Sequence, residues 1–311
     1  MDSDAIYHNV QSRYGSIARA DNPQYSSTVA KAFGYSQEEL NSIPKDANLG
    51  LSCGNPLAIA SLRPGETVVD LGSGAGFDVF LAAKQVGRHG LAVGIDMNKD
   101  MLSRANKNLA SSPEIENVIF KEGVITSIPL EDGTADCIIS NCVINLVPAA
   151  EKSSVFVEMA RILKPGGRVA ISDILAKKPL PASIKEDVAM YTGCIAGAGT
   201  IEEYERYLED AGFSAVLIVD TKSDLNVYIN STDLLVDGNK STGCCMKPTE
   251  TTNVSSDLER EQNSAASCCV PHPKAEDDVC EGAAVGTANT GLRDINLNDW
   301  VGSFKIFAVK P

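Results

Sequence analysis

The sequence predicts an α/β protein on a doubly wound sheet of seven strands, the last antiparallel, with a long low-complexity insertion before that strand. The apolar strand Val68-Val69-Asp70-Leu71 runs into the glycine turn Gly72-Ser73-Gly74-Ala75-Gly76 and then into a helical stretch at Phe80-Leu81-Ala82-Ala83. That order suits a parallel sheet with helices packed back onto it. Apolar strands and helical segments then alternate to about residue 220, and Trp300–Val309 alternates Phe304, Ile306 and Ala308 against Lys305 and Phe307 as a final strand.

Residues 1–47 are expected to form a helical cap. Val10, Tyr14 and Ile17 share one helical face, which either covers a ligand pocket or packs on the sheet. Ser36, followed three residues later by Glu39, has the capping-box form and starts a short helix. The main domain is expected over residues 48–220. In its opening loop, Asn55 and Pro56 suit the N-cap and first turn of a helix at Leu57–Ala60. Cys53 then lies near the positive end of that helix, which favours its thiolate.

After the glycine turn, Leu91–Asp96 is the second strand, Asp100–Leu109 a helix and Val118–Phe120 the third strand. The fourth strand starts at Asp136, buries Cys137 and delivers Asn141 and Cys142 to the carboxyl edge, where open α/β sheets bind ligands. Ser153–Leu163 is an amphipathic helix, Lys164–Arg168 a turn and Val169–Asp173 the fifth strand. A helical region spans Ala182–Tyr191, and Cys194 follows among the small residues of Thr192–Gly199. Glu202–Ala211 is a helix stopped by Gly212, and Phe213–Val219 is the sixth strand. Residues 221–299 form the insertion, expected to be partly disordered from its Ser, Thr, Asn, Glu, Gly and Pro content, and residues 300–311 complete the sheet.

Composition narrows the function. The 311 residues are 43% hydrophobic and 22% charged, ordinary for a globular protein, and a net charge of −14 without a basic stretch argues against nucleic acid as substrate. Small molecules remain. No apolar run of about 18 residues suggests a membrane span, and the opening Met1-Asp2-Ser3-Asp4 does not read as a secretory signal, so the expected location is the cytoplasm. Nine cysteines there are expected to be mostly reduced thiols, serving metal, metalloid or redox chemistry rather than structural disulfides. Cys53, Cys137, Cys142 and Cys194 lie in the folded portion; the vicinal pairs Cys244-Cys245 and Cys268-Cys269, with Cys280, lie in the insertion, where each pair can hold a soft ion.

A glycine turn alone serves several nucleotide ligands. Here Asp70 stands just ahead of the first glycine, where it repels a phosphate and favours a cation, and Asp96 closes the next strand where ribose hydroxyls are held. This stretch resembles motif I of class I S-adenosylmethionine-dependent methyltransferases, as does the helix, Leu163-Lys164-Pro165-Gly166-Gly167 turn and strand. The resemblance implies a Rossmann-like fold that binds S-adenosyl-L-methionine. Asp70, Gly72, Ser73, Gly74 and Gly76 would shape the methionine side, Asp96 would hold the ribose, Val124 and Ile125 would line the adenine pocket, and Asn141 would help at the same edge. Met97 suits either an adenine face or the core.

The acceptor is suggested by the cysteines. Methyl transfer to oxygen, nitrogen or carbon needs a group to remove a proton, and none of the three histidines, His8, His89 and His272, has a promising cleft position. Soft thiolates select soft acceptors, and trivalent arsenic takes three sulfurs while keeping a lone pair that needs no deprotonation. The segments Leu49–Pro56, Ser140–Leu146 and Gly193–Ala198 resemble the three cysteine segments of arsenite methyltransferases. That resemblance implies arsenite as substrate, Cys53, Cys142 and Cys194 as its catalytic ligands, and glutathione or thioredoxin as reductant. Some family members carry a further upstream cysteine that pairs with the one matching Cys53; none precedes Cys53 here. The insertion's pairs Cys244/Cys245 and Cys268/Cys269 are alternative redox or ligand thiols. Two other readings stay open: a methyltransferase for an organic small molecule, and a thiol buffer or metalloid sensor on an inactive scaffold.

Overall fold

The computed structural model describes residues 2–20, 23–226 and 295–311. Cys244, Cys245, Cys268, Cys269 and Cys280, with the bulk of the predicted insertion, lie outside the described residues. The chain opens with α1 (Ser3–Arg19), α2 (Pro23–Ala32), α3 (Gln37–Asn41) and α4 (Leu57–Ala60). Next come β1 (Thr67–Leu71), α5 (Phe77–Val86), β2 (Leu91–Asp96), α6 (Lys99–Ala110), β3 (Val118–Glu122) and β4 (Ala135–Asn141). The second half holds α7 (Lys152–Ile162), β5 (Leu163–Ala176), α8 (Ala182–Lys185), α9 (Val188–Thr192), α10 (Ile201–Asp210), β6 (Ser214–Asp220) and β7 (Val301–Val309).

The strands form one seven-stranded sheet in the order β3-β2-β1-β4-β5-β7-β6, with β7 antiparallel to both β5 and β6. The chain leaves β1 for β2 on one side and returns to β4 on the other, so the order reverses at β1. Such a reversal opens a crevice at the carboxyl ends of the strands. One face of the sheet packs Phe156, Met159, Tyr204 and Leu208 from α7 and α10; the other packs Phe80, Leu81 and Ala82 from α5 and contains Cys137. A third apolar cluster at the carboxyl edge gathers Ile6 and Val10 of α1, Tyr191 of α9, and Cys53, Cys142 and Cys194.

Local signals explain most boundaries. Ser36 and Thr200 each form a reciprocal capping box, with Glu39 and Glu203, at the starts of α3 and α10. Three expectations change. The helical region predicted over Ala182–Tyr191 is two short helices, because the Asp187 side chain accepts from the Met190 amide and starts α9 afresh. The turn predicted at Lys164–Arg168 lies within β5, whose early part pairs with the end of the chain: the Gly166 amide donates to the Lys310 carbonyl and the Lys310 amide to that of Gly167, both at 2.8 Å. Trp300 precedes β7, at the end of a one-turn 3-10 segment, Leu297–Asp299. The two sides of the undescribed stretch meet: Asn226 Oδ1 accepts from the Leu297 amide at 2.9 Å, and Leu225 and Leu297 are buried.

Candidate active site

A cleft of about 1100 Å³, part of it open to solvent, lies at the carboxyl ends of β1, β2 and β4. Of the sequence-predicted residues, Asp70, Gly72, Ser73, Gly74, Asp96, Met97, Val124, Ile125, Asn141 and Cys142 line it. Gly76 does not line it. It caps α5 at φ +93°, and a Cβ there would come within 2.6 Å of the Phe120 ring, so this glycine serves helix and sheet packing. Gly72 is the one pressed into the cleft wall: at φ +72°, an added Cβ would meet the Val143 side chain at 2.4 Å.

The glycine loop is held from β2. Asp96 Oδ2 accepts from the Gly74 amide and Oδ1 from the Asn98 amide, each at 2.8 Å. Burial pushes the Asp96 carboxyl up, and these amides pull it back down. Ser73 lines the cleft, while its Oγ is buried against Gly94 of β2 with no hydrogen-bond partner.

Two buried carboxylates make the floor acidic. Burial raises the Asp70 carboxyl well above its ordinary range, and the charges of Asp78 and Asp96 raise it further. Asp78, on the first turn of α5, is likewise raised by burial, while Tyr35 and Asn141 counter this by hydrogen bonding. Tyr35 Oη donates to Asp78 Oδ1 at 2.6 Å, and Asn141 Nδ2 to Asp78 Oδ2 at 3.1 Å. Clustered acids that repel one another are stabilised by a cation. Sequence reading gave Asp78 and Tyr35 no role, although a lone acid in the otherwise apolar start of α5 was a usable signal. Tyr7, Val10, Gln11 and Tyr14 of α1 line the opposite side of the cleft. Burial and the nearby Glu151 carboxylate, to which Tyr7 donates at 2.8 Å, push the Tyr7 phenol up to about 12, which makes it a donor rather than a base.

The three predicted cysteines share one buried cluster beside this cleft, but only Cys142 lines it, and the Cys194 sulfur is not among the groups within 4.8 Å of the Cys53 and Cys142 sulfurs. Cys53 and Cys142, 89 residues apart, are joined in a disulfide, with Cα atoms 5.8 Å apart. This corrects the expectation of reduced thiols for that pair: Asn141 at the end of β4 accepts from the Cys53 amide at 3.2 Å and Ser303 of β7 donates to the Cys53 carbonyl at 2.7 Å, holding the loop ahead of α4 beside β4. The proposed activation of a free Cys53 thiolate by the helix behind it does not apply to the bonded form, and α4 has only four residues. Cys194 is a buried free thiol that donates to the Cys142 carbonyl at 2.7 Å, and burial raises it strongly. Cys137 is buried within β4, raised to about 12 by burial, and takes no part in the cleft.

Cys142 and Cys194 take φ of +61° and +66°, and among the described residues only five non-glycine residues have positive φ. Side-chain-bearing residues adopt this region at a penalty of roughly 1–3 kcal/mol when the surroundings enforce it, and such strain gathers at functional sites. Asn141 links the two halves of the cleft: its Oδ1 accepts from the Cys53 amide at 3.2 Å, while its Nδ2 donates to the Gly54 carbonyl at 2.9 Å as well as to Asp78.

Beneath the cysteines lies a buried polar network that sequence reading did not find. An Asp173 carboxylate oxygen and the sulfurs of Cys53 and Cys142 lie within 4.8 Å of one another. Asp173 accepts from Asn145 Nδ2 at 2.8 Å, Tyr204 Oη at 2.8 Å and the Ile174 amide at 2.9 Å. Burial raises its carboxyl to about 6, against these donors and the Lys152 charge. Lys152 is itself buried, which lowers its amine to about 8.

Comparison with known proteins finds methyltransferases similar to this chain. A family described as a methyltransferase domain matches residues 62–212. An arsenite methyltransferase of Halobacterium salinarum is 46% identical over 204 residues, covering 66% of this chain and 51% of that protein. One of Aquipseudomonas alcaligenes is 33% identical over 225 residues, covering 69% of this chain and 64% of that protein. The chain therefore spans between about half and two thirds of these relatives' length. Among solved structures, phosphoethanolamine N-methyltransferase 2 of Haemonchus contortus, in complex with S-adenosyl-L-methionine, shares the fold at a TM-score of 0.54 and 17% identity, over 94% of this chain and 59% of that one. In the sequence of its folded portion the chain is thus similar to arsenite methyltransferases, and its residues 62–212 match a methyltransferase domain.

Proposed function

We propose that this protein transfers methyl groups from S-adenosylmethionine to trivalent arsenic held by the thiolates of Cys53, Cys142 and Cys194, in the cytoplasm, as a step of arsenic detoxification. The observation that carries this reading is the gathering of these three cysteines, from three distant segments, in one buried cluster beside an acidic nucleotide-type cleft, with Cys53 bonded to Cys142 and the Cys194 thiol on the Cys142 carbonyl. The cleft suits the cofactor on its own terms: a glycine turn, and the buried carboxylates Asp70, Asp78 and Asp96 close enough to repel one another, which a cation would relieve. Asp96, already fixing the Gly74 amide, has remaining acceptor capacity for ribose hydroxyls. Met97, Val124 and Ile125 supply the apolar wall for adenine. When bound, S-adenosylmethionine supplies an electrophilic sulfonium methyl.

The chain's own contribution is orientation. Three sulfurs fix arsenic as a pyramid, so that its lone pair faces the cleft and no base is required. The disulfide must open first. A dithiol such as thioredoxin, or two glutathione molecules, delivers two electrons and two protons, forming its own disulfide and freeing both cysteine thiols. In reverse, oxidation of the Cys53 and Cys142 thiols yields two electrons that return a pentavalent methylated arsenical to the trivalent state. Among the described residues, no helix is long and apolar enough to cross a membrane. The direct test is arsenic speciation after incubation with arsenite, S-adenosylmethionine and a dithiol. Methylated arsenicals are expected, and only inorganic arsenic in the presence of active reductant would overturn the reading.

A pH dependence follows from the raised carboxyls of Asp70 and Asp78. Protons occupying this pair must leave when the cationic cofactor binds, so affinity rises with pH until the carboxyls are ionised and then levels off. Calorimetry between about pH 8 and pH 5.5 should show binding weakening on acidification, by up to about tenfold per pH unit for each proton released. Asp78→Asn should flatten the profile, and a flat wild-type profile contradicts this account of the cleft floor.

A further inference from the structure

The Cys194 segment is rich in small residues and buried with Ile195 and Ala196 in the apolar cluster at the carboxyl edge, and its thiol sits against the Cys142 carbonyl. The first residues of the segment are held by α9, where the Cys194 amide donates to the Tyr191 carbonyl at 3.0 Å and the Ile195 amide to that of Met190 at 2.9 Å, and further attachments tie it to β5, α7 and the exit of β4. The Asn145 side chain donates to the Cys194 carbonyl at 3.2 Å. Lys152 Nζ donates to the Gly197 carbonyl. The Ala176 amide, at the end of β5, donates to the Gly199 carbonyl at 2.8 Å. The fit at Gly197 is close: a Cβ there would lie 2.1 Å from the Asn145 carbonyl oxygen.

Asn145 follows Cys142 by three residues and is itself pinned, donating to Asp173 at 2.8 Å and to the Ile174 carbonyl at 2.6 Å and accepting from Tyr204 Oη at 3.1 Å. One rigid side chain thus stands between the strand exit bearing Cys142 and the loop bearing Cys194. Lys152, only 4% exposed, places a charged amine against that loop. A buried ammonium is retained at a large desolvation penalty unless its hydrogen bonds are well made.

We propose that Asn145 and Lys152 are positioning residues that latch the Cys194 loop to the exit of β4 and so set the third sulfur where a three-thiol arsenic site needs it. This rests on the function proposed above, but the latch can be read without arsenic. In the reduced protein, the alkylation rate of Cys194, followed by mass spectrometry of its peptide, reports opening of the loop. Lys152→Met removes the charge at similar length, and Gly197→Ala forces the loop off Asn145; each should speed Cys194 alkylation by about tenfold or more, the loss expected for one hydrogen bond to a charged group. Cys137, fully buried in β4, is the internal control and should keep its slow rate. Asn145→Ala should act in the same direction.

With arsenite present, the wild type should protect Cys53, Cys142 and Cys194 from alkylation. The variants should lose protection at Cys194 first and keep S-adenosylmethionine affinity within about twofold. A folded Lys152→Met protein whose Cys194 reacts as slowly as in the wild type overturns the latch, as does equal acceleration at Cys137, which reports general loosening. If arsenite protects nothing in the reduced wild type while Cys194 still accelerates in the variants, the latch stands and the arsenic reading fails.

Discussion

Replacing Cys194 with serine is expected to lower arsenite methylation by on the order of 100-fold or more, while S-adenosylmethionine binds as before. A hydroxyl is a hard, weakly acidic donor that does not replace a thiolate on arsenic. With two sulfurs left, the arsenic pyramid is free to tilt, and misplacing a reacting lone pair by an ångström is enough for a loss of that size. Cys194 is the cleanest of the three positions to test. It is outside the disulfide, and it is absent from the residues lining the cofactor cleft, whereas Cys142 lines that cleft directly. Methylation rates with saturating cofactor, together with cofactor affinity by calorimetry, check this. Full activity in Cys194→Ser would remove that residue from the chemistry.

The second large effect is expected at Asp96. Asp96→Ala deletes the carboxylate that fixes the Gly74 and Asn98 amides and that is proposed above to take ribose hydroxyls. Hydrogen bonds to a charged group contribute roughly 1.5–3 kcal/mol, so the dissociation constant for S-adenosylmethionine should rise on the order of 10- to 100-fold. Arsenite protection of the cysteines should persist, because Asp96 makes no contact with them. The two substitutions therefore fail in opposite ways, one keeping the cofactor and losing the acceptor, the other the reverse. Loss of arsenite protection in a folded Asp96→Ala protein would show that the two halves of the site are not separable in this manner.

The parts of the fold encoded by local signals were legible. The strand, glycine turn and helix at residues 67–86 follow from apolar periodicity and glycine freedom, and β2 ends at Asp96 as its pattern indicates. The capping box at Ser36 needs only four consecutive residues to declare itself. What stayed hidden depends on distant partners. The early start of β5 is fixed by the last residues of the chain, and Ala182–Tyr191 broke in two at Asp187, a capping residue that periodicity alone overlooks.

The site divides in the same way. Asp70, Asp96 and the three cysteines are recognisable by type and context. The pairing of Cys53 with Cys142 is not, since 89 residues separate them and only the finished sheet brings them together. Lys152, Asp173 and Tyr204 read as surface or core residues along the chain. They become one network only where α7, β5 and α10 converge beneath the cysteines.

The central claim is that three sulfurs surround one arsenic atom at the edge of the cofactor cleft. X-ray absorption at the arsenic edge, on reduced protein loaded with one equivalent of arsenite, reads this coordination directly. Three sulfur neighbours and no oxygen are predicted for the wild type, with one sulfur lost in Cys194→Ser. A site of two sulfurs and one oxygen in the wild type, unchanged by that substitution, would contradict the account.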